Sequence, residues 1–506
     1  MRRALLGIDV GTTGSKALLV DDRGGVIASA TEEYPLYTPQ PLWSEQDPEE
    51  WWAATQRAIQ RVLAEAAGAV VVGVGLTGQM HGLVLLNQAG QVLRRAILWN
   101  DQRTAAQCAE ITAWAGGLER LLALTGNAVL PGFTAPKIIW VRENEPAVYD
   151  QIAHILLPKD YIRFRLTGEL ATEVSDASGT SLFDVGNRCW SATMAGLLQI
   201  PMEWLPHCTE SQEVSGRITR SAAEATGLEL GLPVVGGGGD QAAGATGNGV
   251  VEPGIISVTS GTSGVVFAYA DAYAAEPQGR VHVFCHAVPG AWHAMGVMLS
   301  AGGAFRWFRD ALGQAEIIEA RRTGEDPYDI LTRQAATVEP GSEGLLFLPY
   351  LTGERTPYAD PNARAAFVGL TLRHTKSHMV RSVLEGVSFG LKDSLELIKS
   401  LGVPVEQVRA SGGGARSAVW RQIQADIFDA ELVVINVTEG APFGAALLAG
   451  VGAGVYKDVR EAVSSAVRVV SRTEPQPHAA AVYREMYPLY RGLYPALSPT
   501  FDALAR

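Results

Sequence analysis

Two aspartates in this 506-residue chain stand where a sequence can place chemistry. Asp9 closes the apolar run Leu5-Leu6-Gly7-Ile8 and opens Val10-Gly11-Thr12-Thr13-Gly14-Ser15-Lys16, a turn whose glycines let backbone N–H groups approach an anion closely. Such a hairpin either cradles phosphate or is a plain tight turn that Asp9 caps. It is not a Walker A loop, because Lys16 follows Ser15 and a strand, not a helix, comes next. Asp240 ends the run Gly236-Gly237-Gly238-Gly239 and leads into the small residues Ala242 to Gly247. With open space around it, this carboxylate can take a hydroxyl proton, accept a substrate hydrogen bond or hold a metal's water shell; the bland alternative is a cap on the following helix. Two carboxylates and two glycine-lined turns facing a cleft suit chemistry on a magnesium-bound nucleotide.

Three further segments belong to the same pattern. The apolar run Val70 to Leu76 ends in Thr77-Gly78-Gln79-Met80-His81-Gly82, at a strand's carboxyl end, where open α/β sheets place their ligands. His81 there is a ligand contact or a structural hydrogen-bonder. Ser260-Gly261-Thr262-Ser263-Gly264 repeats the first glycine turn. Gly412-Gly413-Gly414-Ala415-Arg416-Ser417 follows the strand pattern Val408 to Ser411 and precedes a helical face of Val419, Ile423 and Ile427, a seat for a flat base or for phosphates. No Gly-x-Ser-x-Gly elbow lies near a strand-to-helix turn, and no HExxH metal motif occurs.

The elements that must hold these residues read as α/β, because glycine clusters end short β-branched runs and helical patterns alternate with them. Asp47 is an N-cap with Pro48 at the first helical position and Glu50 set to complete a capping box, and the helix continues through Trp52, Thr55, Ile59 and Leu63. Leu5 to Val20 and Ile255 to Tyr269 read alike, which implies an internal duplication with one sheet in each half. The boundary is expected near Asn248 to Gly254, giving domains 1–248 and 249–506 with a cleft between them. Tyr483, Tyr487, Tyr490 and Tyr494 keep near-helical spacing, broken at Pro488, and are expected to pack in a core.

Composition narrows the classes. Hydrophobic residues make up 47%, enough to bury real cores. The net charge of −12 repels nucleic acid and anionic lipid, so a bound phosphate must be held locally. Cys108, Cys189, Cys208 and Cys285 are far apart with no CxxC, which suits a reducing cytoplasm. No apolar run approaches the ~18 residues of a membrane span, so neither a signal peptide nor an anchor is expected.

Together these residues resemble the FGGY carbohydrate kinases, of the actin/hexokinase/sugar-kinase superfamily. Gly132 to Asn144 is similar to the family's first signature and Ala365 to Glu385, with Gly369-Leu370, His378-Met379 and Ser382-Val383-Leu384-Glu385, to its second. The resemblance implies two ribonuclease H-like (actin/hexokinase-type ATPase) domains around a cleft, and phosphorylation of a small sugar by ATP with Mg²⁺. Gln79-Met80-His81-Gly82, Ile97 to Asp101 and Phe284 to Pro289 look like the branch acting on D-xylulose; ribulose or a polyol is the nearer rival, and a sugar-binding regulator or an uncoupled ATPase the remoter one. Carried residue by residue, Asp240 matches the general base, and Asp9 with Asp240 the acids that hold Mg²⁺ through water. Thr12, Thr13 and Lys16 match the transferring-phosphate contacts, Gly261, Thr262 and Gly303 the nucleotide side, and Gly413 and Ser417 the adenosine. Gln79, Met80, His81, Trp99, Asn100, Asp240 and Gln241 match the sugar side. A homodimer is the family-level expectation.

Overall fold

The strand Arg2–Val10 lies at the centre of a seven-stranded sheet, which is why its run of apolar residues is buried on both faces. Across the Thr12-Thr13 turn it pairs antiparallel with Gly14–Asp21, which pairs with Val26–Glu33. On its other side it runs parallel to Ala69–Gly78, beyond which lie Pro233–Val235 and the antiparallel edge Val214–Arg217. This computed structural model describes residues 2–66 and 68–505.

A second seven-stranded sheet repeats the plan. Gly254–Ser260 pairs antiparallel with Gly264–Ala270 across the second glycine turn, followed by Trp292–Met298 and His282–Cys285. Its other side is parallel to Val405–Ser411 and Glu431–Ile435, and Val469–Thr473 closes that edge antiparallel. The turns differ in their closing bond: Gly11 N–H donates to Gly14 O, three residues on, at 3.1 Å, and Gly261 N–H to Ser263 O, two residues on, at 3.0 Å. Superposing them by sequence sets Thr259 where the first turn has Asp9, so only one hairpin carries an acid.

The halves share a core. The helix Ala441–Gly452, from the second half of the chain, lies on the first sheet, so close that a Cβ on Gly75 would sit 1.9 Å from Ala445 O. It crosses Asp240–Gly247, where a Cβ on Gly444 would sit 1.8 Å from Ala243 O. The small residues after Asp240 thus serve backbone-to-backbone packing of two helices. Leu5, Val20, Phe267, Met295, Phe443 and Leu447 form one apolar cluster across both sheets.

Two local expectations are corrected. Asp47 caps Pro48–Glu65 by accepting from Glu49 N–H at 2.9 Å, but no capping box forms, because Glu50 accepts from the Tyr37 hydroxyl at 2.8 Å instead. The C-terminal helix runs unbroken from Pro477 to Leu504 through Pro488, Pro495 and Pro499. All three prolines are exposed, so water can satisfy the carbonyls they leave unpaired. Its Tyr483 and Tyr490 are buried in the core, as the spacing implies, with Tyr487 and Tyr494 half-buried beside them. All four cysteines are free. Among the described residues no helix is long and apolar enough to cross a membrane.

Candidate active site

The two carboxylates meet through strand register. Asp9 stands beside Thr77, and Thr77 beside Gly238, so three adjacent strands set Asp9 and Gly238 about 10 Å apart in one row. Two residues on, Asp240 opens the helix Asp240–Gly247. The approach requires glycine: Gly237 has φ +72°, and a Cβ there would lie 1.8 Å from Leu76 O.

Burial disfavours negative charge on both carboxyls. The Asp9 carboxyl is pushed up to about 7, chiefly by burial and then by the charge of Asp240, with Lys16 opposing. Burial pushes Asp240 up to about 6, against hydrogen bonds from the side chain and backbone of Gln241. Asp9 Oδ1 is buried without a hydrogen-bond partner. Among the described residues no three His, Cys, Asp or Glu converge as a metal cage. Two carboxylates, one with an unpartnered oxygen, fit Mg²⁺, which keeps several waters and takes one or two carboxylates plus phosphate oxygens.

The sugar-side residues surround the end of Ala69–Gly78. His81, at φ +69°, stacks on Phe133 with ring centroids 4.6 Å apart, and its Nδ1 lies 2.8 Å from Gly179 O. A carbonyl only accepts, so Nδ1 carries the proton and Nε2 is left as an acceptor. Burial, and then the nearby Lys137, push the imidazole down to about 3, so it is neutral. Met80 packs with Phe133 and Phe284. Asn100 Oδ1 is buried and unpartnered.

Other expected contacts act on the first hairpin. Gln79 is buried, its Oε1 accepting from Thr12 Oγ1 at 3.2 Å while Nε2 donates to Gly11 O at 3.2 Å and Gln46 Oε1 at 2.9 Å. Trp99 Nε1 donates to Thr12 Oγ1 at 3.0 Å. Thr13 is exposed at the tip. Lys16 pairs with Glu439 from the second half.

Gly261, Thr262, Gly303, Gly413 and Ser417 line one cavity of about 570 Å³. The helix Gly302–Leu312 is tied to the second hairpin by Gly302 N–H to Gly261 O at 2.7 Å and Gly303 N–H to Thr262 O at 3.0 Å. Ser417 caps Ala418–Phe428, its hydroxyl accepting from Trp420 N–H at 3.3 Å. Phe305 and Tyr328, with ring centroids 5.1 Å apart, give the cavity an aromatic wall.

Sequence reasoning missed two parts. Lys137 is fully buried and donates to His81 O at 2.8 Å and Gly132 O at 2.7 Å, fixing the His81 loop. Its signal was present, a lone lysine inside the apolar run Ala135 to Val141. Tyr328 gave no signal, because it joins the cavity from a separate helix, Pro327–Ala336.

Residues 4–247 match the N-terminal domain of the FGGY family of carbohydrate kinases and residues 256–453 its C-terminal domain. The chain is 40% identical to a xylulose kinase of Escherichia coli (strain K12), over 98% of this chain and 99% of that one. It is 32% identical to a gluconokinase of Bacillus subtilis (strain 168), over 100% of this chain and 98% of that one. The solved structure of a xylulose kinase from Rhodospirillum rubrum is similar with a TM-score of 0.91 at 32% identity, covering 99% of this chain and 100% of that one.

Proposed function

Because the chain belongs to the FGGY family of carbohydrate kinases, we propose that it moves the γ-phosphoryl group of ATP onto the primary hydroxyl of D-xylulose, giving D-xylulose 5-phosphate. The observation that carries the substrate is the full-length likeness to the Escherichia coli xylulose kinase. The site geometry supports the chemistry. Asp240, with a carboxyl raised to about 6, is mostly ionised at neutral pH yet basic enough to take the hydroxyl proton as the phosphoryl bond forms.

Phosphoryl transfer asks mainly for alignment and charge neutralisation. Asp9, with Asp240, would hold the water shell of Mg²⁺, which supplies positive charge against the phosphate oxygens when bound. Thr13, Thr12 and the backbone of the two glycine turns orient the phosphates, with Lys16 beside them. Gly261, Thr262, Gly303, Gly413 and Ser417 seat the nucleotide in the 570 Å³ cavity. His81 Nε2 accepts from a sugar hydroxyl, and Met80, Trp99, Asn100 and Gln241 complete that side, while Gln79 braces the hairpin. The division at 248/249 assigns sugar and base to the first half and nucleotide to the second. A homodimer and a cytoplasmic location complete the reading, the latter supported by the four free cysteines.

The test is purified protein with Mg-ATP against D-xylulose, D-ribulose, polyols and gluconate. Highest kcat/KM on D-xylulose supports the reading. Preference for gluconate, the substrate class named by the Bacillus subtilis relative, overturns it.

A further inference from the structure

Asp240 hangs from four glycines that offer no side chain to fix it, and His81 sits on a separate loop. One buried segment bonds to His81 and to Gly239, the residue before Asp240. Glu173 accepts at 2.8 Å from Ser175 N–H, Ser175 Oγ–H, Asp176 N–H and Ser211 Oγ–H. With its proton committed to Glu173, Ser175 Oγ accepts from Gly239 N–H at 3.0 Å, one residue before Asp240. Four residues along the same short helical stretch, Gly179 O accepts a hydrogen bond from His81 Nδ1–H at 2.8 Å. Glu173 and Ser175 are fully buried and Gly179 is buried too, so no water competes for these bonds.

We infer that Glu173–Thr180 is a rigid bracket that sets the span between the base Asp240 and the sugar-reading His81. Ser175 and Glu173 are thus positioning residues that decide which hydroxyl of a bound ketose reaches the base. The inference rests on the reading of Asp240 and His81 given above. A fixed span matches one hydroxyl pattern, because a sugar anchored at His81 meets Asp240 only with the carbon that the span allows.

The experiment is kinetics and thermal melting of Ser175→Ala, Ser175→Cys, His81→Ala and the double variant Ser175→Ala/His81→Ala, on the panel sugar that the parent phosphorylates best. Ser175→Ala is expected to lower kcat about tenfold with the KM for ATP within about twofold, and Ser175→Cys, which keeps a weak acceptor, to recover part of the loss. The double variant should lose less than the product of the two single losses, since a span matters only while both ends act. A folded Ser175→Ala with kcat within about twofold of the parent overturns the inference, as do fully multiplicative effects. Should Ser175→Ala not fold, Ser175→Cys alone decides: unchanged kcat overturns the inference, and reduced kcat at constant ATP KM supports it. A parent most active on another sugar would overturn the substrate assignment while leaving the bracket testable on that sugar.

Discussion

Lys16 of the first glycine hairpin is paired with Glu439, which immediately precedes Gly440 and the helix Ala441–Gly452 of the second half. The lysine proposed to face phosphate is thus held by a carboxylate. A partly exposed pair of this kind is worth about 0.2–1 kcal/mol, or up to about fivefold in a binding constant. Glu439→Gln, which frees the ammonium, should lower the KM for ATP about two- to fivefold and leave the sugar KM unchanged. Steady-state kinetics with each substrate varied reads this, and an unchanged ATP KM would remove Lys16 from the phosphate contacts.

Asp240→Asn keeps the shape of the base and loses its proton affinity, so kcat should fall about 10²–10⁴-fold. In the parent, the raised carboxyl sets the acid limb: kcat/KM should fall about tenfold per pH unit below about 6, as the base becomes protonated. A pH profile of kcat/KM from 5 to 8 on parent and variant checks both, with the limb absent from the variant.

Asp9→Ala removes the carboxylate whose Oδ1 is buried without a partner. Activity should collapse and recover only slightly at high Mg²⁺, because geometry is lost together with charge. Superimposable Mg²⁺ titrations of parent and variant would place the cation elsewhere.

His81 makes a separate prediction about acid stability. Its folded-state value of about 3 lies below the ordinary 6.5, so between these values the unfolded chain binds a proton that the folded chain refuses. Its contribution is complete above pH 6.5 and is lost as pH falls toward 3. Replacing the imidazole by an uncharged group, as in His81→Gln, should make the decline between pH 6 and 4 shallower by up to about 1.4 kcal/mol per pH unit. Urea melts of parent and variant at matched pH measure that difference, and parallel slopes would mean a protonated His81. The same loss of the acceptor Nε2 in His81→Ala should raise the KM for D-xylulose several-fold and spare the KM for ATP.

The repeated hairpins were legible because their glycines and threonines are contiguous, and strand ends announced Asp9, Asp240 and His81 for the same reason. What the sequence hid is whatever depends on partners far along the chain. Glu50 satisfied every local rule for a capping box and went to Tyr37, 13 residues away. Ser175 and Gly239 are 64 residues apart and meet only because Gly238–Gly239 pairs beside Ala69–Gly78. Pro488 read as a break because its cost was judged without knowing that its face of the helix is in water.

The crossing of Asp240–Gly247 with Ala441–Gly452 has a mechanical consequence. Glycines and alanines meet there backbone to backbone. Such a contact is a smooth bearing, and Asp240 rides at the tip of one of its shafts. Asp240 lies three residues, about 4.5 Å of helix, from the contact at Ala243, so turning the two helices by about 10° on this bearing would carry the tip about 0.8 Å. Even that takes a hydrogen bond of about 2.8 Å to about 3.6 Å, beyond the reach at which a carboxylate accepts from a hydroxyl.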